Sequence, residues 1–303
     1  MKLKIKYIGL GKMGLNMVER LLEKGYEISA FDVAEESRKK AKEKGVQVYN
    51  SIEELIKPQE WPQLVWIMVP HKFVDDVLKD ITPLLKEGDT IIDGGNSPYK
   101  ESIRRAKELK EKNIHFLDTG VSGGPEGARN GASLMVGGEE EDYKKYEELF
   151  KDLSVPDGYG HMGDHGAGHF VKMVHNGIEY GMMQAIAEGF AIMKESPLHL
   201  DLTKISEVYN RGTVIESHLI EWLEKAFREE GEDLKEISGK ISHSGEGLWT
   251  VEAAKELGVA SPVIEDSLQF RIDSQEKPSY TGQIVSALRN QFGGHEVKNK
   301  GSE

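Results

Sequence analysis

The sequence contains no cysteine. Disulfides are therefore impossible, and thiolate catalysis and thiolate-bound zinc are excluded with them. Nor is there an apolar run long enough to span a bilayer or serve as a signal peptide: the opening MKLKIKYIGLG goes straight into a strand pattern and a glycine turn. A cytoplasmic protein is expected. Positive charge is in deficit, 39 Lys and Arg against 52 Asp and Glu, for a formal net charge of -13. That balance argues against non-specific nucleic-acid binding, which depends on neutralising phosphates with cations. An anionic ligand would have to find its cations gathered locally in a cleft. No internal repeat and no low-complexity segment is present.

A chain of 303 residues suits two domains better than one, because single cores usually stop growing at roughly 250 to 300 residues. From Leu3 to about Gly160, short β-rich runs alternate with polar helical segments, the pattern of a mostly parallel sheet with helices on both faces. Strands are predicted at Leu3–Ile8, Tyr26–Phe31, Val46–Tyr49, Leu64–Val69, Thr90–Asp93, His115–Asp118 and Ser133–Val136, with helices such as Ser37–Lys44 and Tyr99–Lys112 between them. After about His161 the strand-like runs stop. Apolar residues then recur at helical spacing through Phe170, Met173, Val174, Ile178, Met182, Ile186 and Phe190. One long helix is expected at Gly166–Lys194, two or three more after it, then helices at Pro262–Asp273 and Thr281–Asn290; the tail from Val297 to Glu303 should fray. The predicted class is α/β: an N-terminal Rossmann-type doubly wound sheet over residues 1–163, followed by an all-α C-terminal domain over 164–303 for substrate binding and dimerisation. The glycine-rich stretch Gly158–Gly168 marks the expected boundary.

Gly9, Gly11 and Gly14 spell G-x-G-x-x-G directly after the first strand, and Met13 to Leu22 continue as an amphipathic helix. In that context the glycines allow a tight turn, close approach by pyrophosphate and close helix-on-strand packing, with the helix N-terminus facing the anion. The second predicted strand ends at Phe31-Asp32, where this fold puts the acid that accepts hydrogen bonds from the ribose 2'-hydroxyl and repels a 2'-phosphate. NAD is therefore the expected cofactor, with NADP less favoured although Arg38, Lys39 and Lys40 follow closely. Cofactor contacts are expected from Gly9, Gly11, Met13, Gly14, Asp32, Val69 and Asn96. The competing structural reading makes the glycines a plain turn and Asp32 a cap for the next helix.

Two further loops follow predicted strand ends, where open α/β sheets bind ligands. They are Asp93-Gly94-Gly95-Asn96-Ser97 and Asp118-Thr119-Gly120-Val121-Ser122-Gly123-Gly124-Pro125. Glycine pairs let backbone amides converge on a carboxylate, and Asn96 and Ser122 add side-chain donors; as ordinary turns they would only cap helices. On the long helix, Lys172, His175, Asn176 and Glu179 fall at i, i+3, i+4 and i+7, one polar stripe with Met173, Val174 and Ile178 off it. Such a stripe either faces solvent or lines a site. His161, His165 and His169 recur every four residues, but no carboxylate pattern completes a set, so turn and cap roles are expected and no metal.

Taken together, GLGKMG, DGGNS, DTGVSGGPEGA, KMVHNGIEYGMMQ and RNQFGGH resemble 6-phosphogluconate dehydrogenase over about residues 3–296, in a shortened form lacking much of the usual helical domain. HNGIEY is the most discriminating piece, because related β-hydroxyacid dehydrogenases share the glycine turn, the SGG loop and the helix lysine but typically lack the glutamate. The resemblance implies oxidation of 6-phosphogluconate with hydride transfer to NAD, loss of carbon dioxide, and ribulose 5-phosphate as product, a step of the pentose phosphate pathway. It implies Lys172 as general base and Glu179 as general acid. Ser122, Gly123 and Gly124 would hold the substrate carboxylate, His175 and Asn176 the sugar hydroxyls with Asn96 nearby, and Tyr180, Arg271, Arg289 and His295 the phosphate end. Arg289 and His295 match a tail that in this family reaches a partner subunit's site, so a homodimer or homotetramer is implied. Lys172 would have to start neutral, which requires desolvation or a nearby cation.

Two positions depart from the family pattern. Leu248, in SGEGLWT, stands where a lysine is expected; its loss should weaken phosphate capture, since a hydrogen bond to a charged group is worth roughly 1.5 to 3 kcal/mol. Glu216, in NRGTVIES, stands where a basic residue is common, and Arg211 is the candidate to compensate. Two other readings are open: a β-hydroxyacid dehydrogenase acting on a small unphosphorylated acid without decarboxylation, and a non-catalytic NAD-binding sensor. Release of carbon dioxide from C1 separates the first from the main reading, and turnover of any sugar acid disposes of the second.

Overall fold

The computed structural model describes residues 2–56, 62–243, 245–295 and 297; apart from Val297, the tail expected to fray lies outside them. Strands β1 (Lys4–Ile8), β2 (Glu27–Phe31), β3 (Gln47–Val48), β4 (Leu64–Ile67), β5 (Thr90–Asp93), β6 (His115–Ser122), β7 (Ala132–Gly138) and β8 (Ser154–Gly163) form one sheet in the order β3-β2-β1-β4-β5-β6-β7-β8. Neighbours from β3 through β6 pair in parallel; β7 is antiparallel to β6, and β8 is parallel to β7. Interleaved with them are α1 (Lys12–Glu23), α2 (Glu35–Glu43), α3 (Ile52–Leu55), α4 (Val74–Ile81), α5 (Tyr99–Lys110), α6 (Gly124–Asn130), α7 (Glu140–Lys145) and α8 (Glu147–Leu153). After β8 come only helices: α9 (Ala167–Lys194), α10 (Leu202–Tyr209), α11 (His218–Glu230), α12 (Glu246–Glu256), α13 (Pro262–Asp273) and α14 (Tyr280–Gly293). The doubly wound sheet followed by an all-helical half is the class the sequence pattern implies.

Every residue of β4 (LVWI) and β5 (TIID) is buried, which is why these strands read as continuous apolar runs rather than alternating ones. One face of the sheet packs Tyr7, Trp66, Leu117 and Val136 against Met17 and Leu21 of α1 and Phe150 of α8. The other packs Ile8, Val65, Ile67 and Phe116 against Val74 and Leu78 of α4 and Leu109 of α5. Each fully buried side chain of this kind contributes roughly 1.5 to 3 kcal/mol, so the ends of β1, β4, β5 and β6 are rigidly placed.

Two strands differ from expectation. β8 replaces a stretch read as a glycine-rich linker: Pro156, Gly158 and Gly160 disguise it, and as the last strand of the sheet it tolerates them, pairing with β7 through register shifts. β6 runs four residues past Asp118, through Ser122, because residues read as loop pair with β7 in the register Ser122↔Ser133.

Contacts divide the chain into Met1–Met173 and Val174–Glu303. The division falls inside α9, later than the 163/164 boundary expected from the glycines. In the second unit, Met183, Ala187 and Phe190 of α9 form one core with Leu223 and Phe227 of α11 and Ile284 and Leu288 of α14. Asp201, Ser217 and Ser279 cap α10, α11 and α14, each accepting a backbone amide three residues on. Among the described residues no helix is long and apolar enough to cross a membrane.

Candidate active site

β1 ends in the glycine turn, and the three glycines serve different ends. Gly9 has φ +101, and a Cβ there would stand 2.3 Å from the Met68 carbonyl oxygen; a Cβ at Gly14 would stand 2.1 Å from the carbonyl oxygen of Gly9. The chain itself requires both. Gly11, the N-cap of α1, has ordinary negative φ, is exposed, and would meet nothing within 4 Å if it carried a Cβ. Its missing side chain leaves space at a helix end whose first amides have no intrahelical acceptor and whose first turn holds no acid. The open space and these helix-end amides are of the kind that can receive a pyrophosphate. Met13 lies half-buried in this turn. A Val69 methyl comes within 2.9 Å of the position of a Gly9 Cβ, and the Val69 carbonyl oxygen within 2.6 Å of a Gly95 Cβ, so the ends of β1, β4 and β5 converge here.

Asp32 follows β2 directly. Its Oδ2 accepts the Leu10 amide at 2.6 Å and its Oδ1 the Ala34 amide at 2.7 Å. The structural role weighed for it is therefore real: the carboxylate ties the glycine turn to the start of α2. It is not exclusive, because each carboxylate oxygen has a second lone pair for a ribose hydroxyl. Arg38 donates to the carbonyls of Asp32 at 2.6 Å and Val33 at 3.1 Å, while Lys40 is engaged by Glu36 at 2.6 Å.

In the DGGNS loop, buried Asp93 accepts the Gly95 amide at 3.0 Å and the Ser97 hydroxyl at 2.8 Å, and Arg105 donates to the same hydroxyl at 3.0 Å. This internal network leaves Asn96 exposed at the tip. Ser122 closes β6, half-buried, and Gly123 and Gly124 turn the chain into α6 with φ +123 and +60. Lys172, in the second turn of α9, is only 7 % exposed, and a Cβ at Gly120 would stand 2.3 Å from the Lys172 Cβ.

Further along α9, His175, Asn176 and Glu179 are half-buried, whereas apolar Ile178 and Met182 are 54 % and 44 % exposed. A solvated face would show the reverse. The His175 Nδ1 meets the Asn176 Oδ1 at 2.9 Å and lies 3.9 Å from the Glu179 Oε2. In the same unit, the Arg271 guanidinium lies 3.3 Å from the centre of the Tyr180 ring, and Arg289 donates to Ser242 Oγ at 3.0 Å. Burial pushes the Arg271 guanidinium down to about 10 and Arg289 down as well, and each feels the negative charges of Glu179 and Glu246. Two buried cations of this kind can offer charge-assisted hydrogen bonds to an anion.

Ser242 and buried Glu246 were not foreseen; nothing local in ISHSGEG marks them. Leu248 is half-exposed and brings no cation. Glu216 accepts the Gly212 amide at 2.6 Å, closing a turn, and Arg211 donates to the Asn210 carbonyl; the cation within electrostatic reach of Arg271 is Arg289 instead. His295 is exposed, its ring 6.3 Å from that of Phe292. Among the three spaced histidines, His161 meets the Gly138 carbonyl and His169 the Ser102 hydroxyl, each at 2.7 Å, and no group of three metal-binding side chains occurs among the described residues.

Residues 4–163 match the NAD binding domain of 6-phosphogluconate dehydrogenase and residues 168–281 its C-terminal domain. The Bacillus subtilis protein YqeC, provisionally named a 6-phosphogluconate dehydrogenase, is 47% identical over 298 residues, 98% of this chain and 100% of that protein. The NAD(+)-dependent, decarboxylating 6-phosphogluconate dehydrogenase of Haloferax volcanii is 42% identical over 295 residues, 97% of this chain and 98% of that one. The structure of Plasmodium falciparum 6-phosphogluconate dehydrogenase, studied apo, with NADP+ and with 6-phosphogluconate, superposes with a TM-score of 0.83 at 35% identity, over 90% of this chain and 62% of that longer one.

Proposed function

The chain belongs to the 6-phosphogluconate dehydrogenase family, and on that premise we propose that it oxidises 6-phosphogluconate with NAD and decarboxylates it to ribulose 5-phosphate. The observation that carries this reading is on α9: a lysine 7 % exposed and, seven positions on, a half-buried glutamate stand two turns apart on one helix, while the apolar Ile178 and Met182 are exposed.

The glycine turn and Asp32 would hold the cofactor, which when bound accepts the hydride from C3. Lys172 removes the C3 hydroxyl proton as that hydride leaves, giving a 3-keto acid; burial supplies the desolvation this base requires. Carrying the proton, Lys172 then stabilises the negative charge that gathers on the C3 oxygen as the C1–C2 bond breaks and carbon dioxide departs, and gives its proton to that oxygen. The electrons of that bond form the enediol double bond. Glu179 delivers a proton to the carbon that lost carbon dioxide, and Lys172 takes back the enol proton, leaving the ketone. His175 and Asn176 position hydroxyls, with Asn96. Ser122 and the amides of Gly123 and Gly124 hold the carboxylate, and Tyr180, Arg271 and Arg289, with His295, take the phosphate.

An unphosphorylated β-hydroxyacid would leave two buried arginines without purpose, and a non-catalytic sensor would leave buried Lys172 without one. Arg289 donates to Ser242 of its own chain, and the part of its tail in a neighbouring subunit's site stays within the proposal. A homo-oligomer remains part of the proposal, with Ile178 and Met182 as apolar residues it would cover, as does a cytoplasmic location, where the nicotinamide pool is kept. The test is a pair of variants. Lys172→Met should abolish NADH formation while NAD binding persists, and Glu179→Ala should slow tautomerisation most; full turnover in both would overturn the assignment.

A further inference from the structure

Asp118 is fully buried in the middle of β6, yet the chemistry above gives it no task. Its Oδ1 accepts the amide of Gly166 at 2.6 Å and its Oδ2 the amide of His169 at 2.9 Å. A strand carboxylate thus supplies the acceptors at the start of α9, where helix amides lack partners and the dipole favours negative charge. The His169 imidazole lies beside it, its Nδ1 4.0 Å from the Asp118 Oδ2 and 2.7 Å from Ser102 Oγ on α5. Asp118, Ser102 and His169 are each at most 2 % exposed, so the clamp is sealed from water.

The helix end it holds is pressed to backbone contact with the sheet. A Cβ at Gly168 would stand 2.4 Å from the carbonyl oxygens of Asp118 and Met135. One turn on from Gly168, the Lys172 side chain leaves the helix against Gly120. Asp118, Gly120 and Ser122 alternate along one strand and therefore point to one face of it. A single strand thus carries the clamp, the seat of the lysine and the hydroxyl assigned to the substrate carboxylate, at fixed spacing.

We propose that Asp118 is a positioning residue: by capping α9 from β6 it sets where Lys172 stands along that strand, and hence how the base meets the C3 hydroxyl. This rests on Lys172 being the base. In Asp118→Asn one of the two acceptor oxygens becomes an amide NH2 group, which donates and cannot accept, and the start of α9 shifts. Misplacing a catalytic group by about 1 Å lowers rates by about a hundredfold. The experiment compares Asp118→Asn with wild type in steady-state kinetics and in the primary isotope effect with C3-deuterated 6-phosphogluconate. The expected result is a kcat lower by about ten- to a hundredfold, a KM for NAD within about twofold, and a larger isotope effect as hydride transfer becomes the slow step. Unchanged kcat and isotope effect, or a loss confined to NAD affinity, would overturn the proposal. Should Asp118→Asn fail to fold, Gly168→Ala keeps the carboxylate and displaces the same turn, and must give the same signature; full activity there is equally fatal. Lys172→Met, run alongside, separates the two readings: if it turns over, the base assignment falls, whereas a dead Lys172→Met beside an unaffected Asp118→Asn removes only the positioning role.

Discussion

Arg271→Met should make the protein more stable and worse at its reaction. Burial brings the Arg271 guanidinium down to about 10, which at about 1.4 kcal/mol for each tenfold change in protonation corresponds to a penalty of about 3 kcal/mol for holding the charge there. The sign follows from the direction. The cation is disfavoured in the folded state, so the penalty is present in full at every pH below about 10 and fades only as the pH rises through that value. Methionine removes it. Against this stands the lost stacking on Tyr180, at 3.3 Å from the ring centre, worth about 2 kcal/mol when desolvated. The net gain is about 1 kcal/mol, a rise in Tm of about 2 to 4 °C by scanning calorimetry. Over the same substitution the substrate loses charge-assisted hydrogen bonds of about 1.5 to 3 kcal/mol, so the KM for 6-phosphogluconate should rise about ten- to a hundredfold while the KM for NAD stays put. A Tm that falls by several degrees with an unchanged substrate KM would show Arg271 to be a structural cation of the core and refute the reasoning.

Gly14→Ala drives a Cβ to 2.1 Å from the Gly9 carbonyl oxygen and should destabilise by about 1 to 3 kcal/mol as overpacking does, read as a lower Tm without ligand. Gly11→Ala places its Cβ in open space and should melt like the wild type, yet lose at least about tenfold in NAD affinity by titration calorimetry, because the methyl occupies the pyrophosphate cradle; wild-type NAD affinity in Gly11→Ala would show that no anion sits there.

What could be read in the chain was what is local. The glycine turn and the stripe from Lys172 to Glu179 sit within one turn or one helix, where spacing sets the geometry, and Asp32 is reached from the turn across one pair of adjacent strands. β8 was hidden because its Pro156 and its glycines, which deny a central strand, are tolerated at the sheet edge. β6 was cut short because Gly120 reads as a turn residue, when its lack of a side chain serves the approach of Lys172. Asp118 read as part of a ligand loop, since the amide it accepts lies 48 residues away and no local pattern announces a cap delivered from a strand. The bond of Arg289 to Ser242, 47 residues back, is likewise visible only once the helices pack.

The central claim is that one helix carries both the base that oxidises the substrate and the acid that follows loss of its carboxylate. The most direct test incubates the wild-type protein with NAD and 6-phosphogluconate labelled at C1, counting NADH and labelled carbon dioxide together. One labelled carbon dioxide for each NADH is the expected result; NADH formed while the label stays in the sugar acid would contradict it.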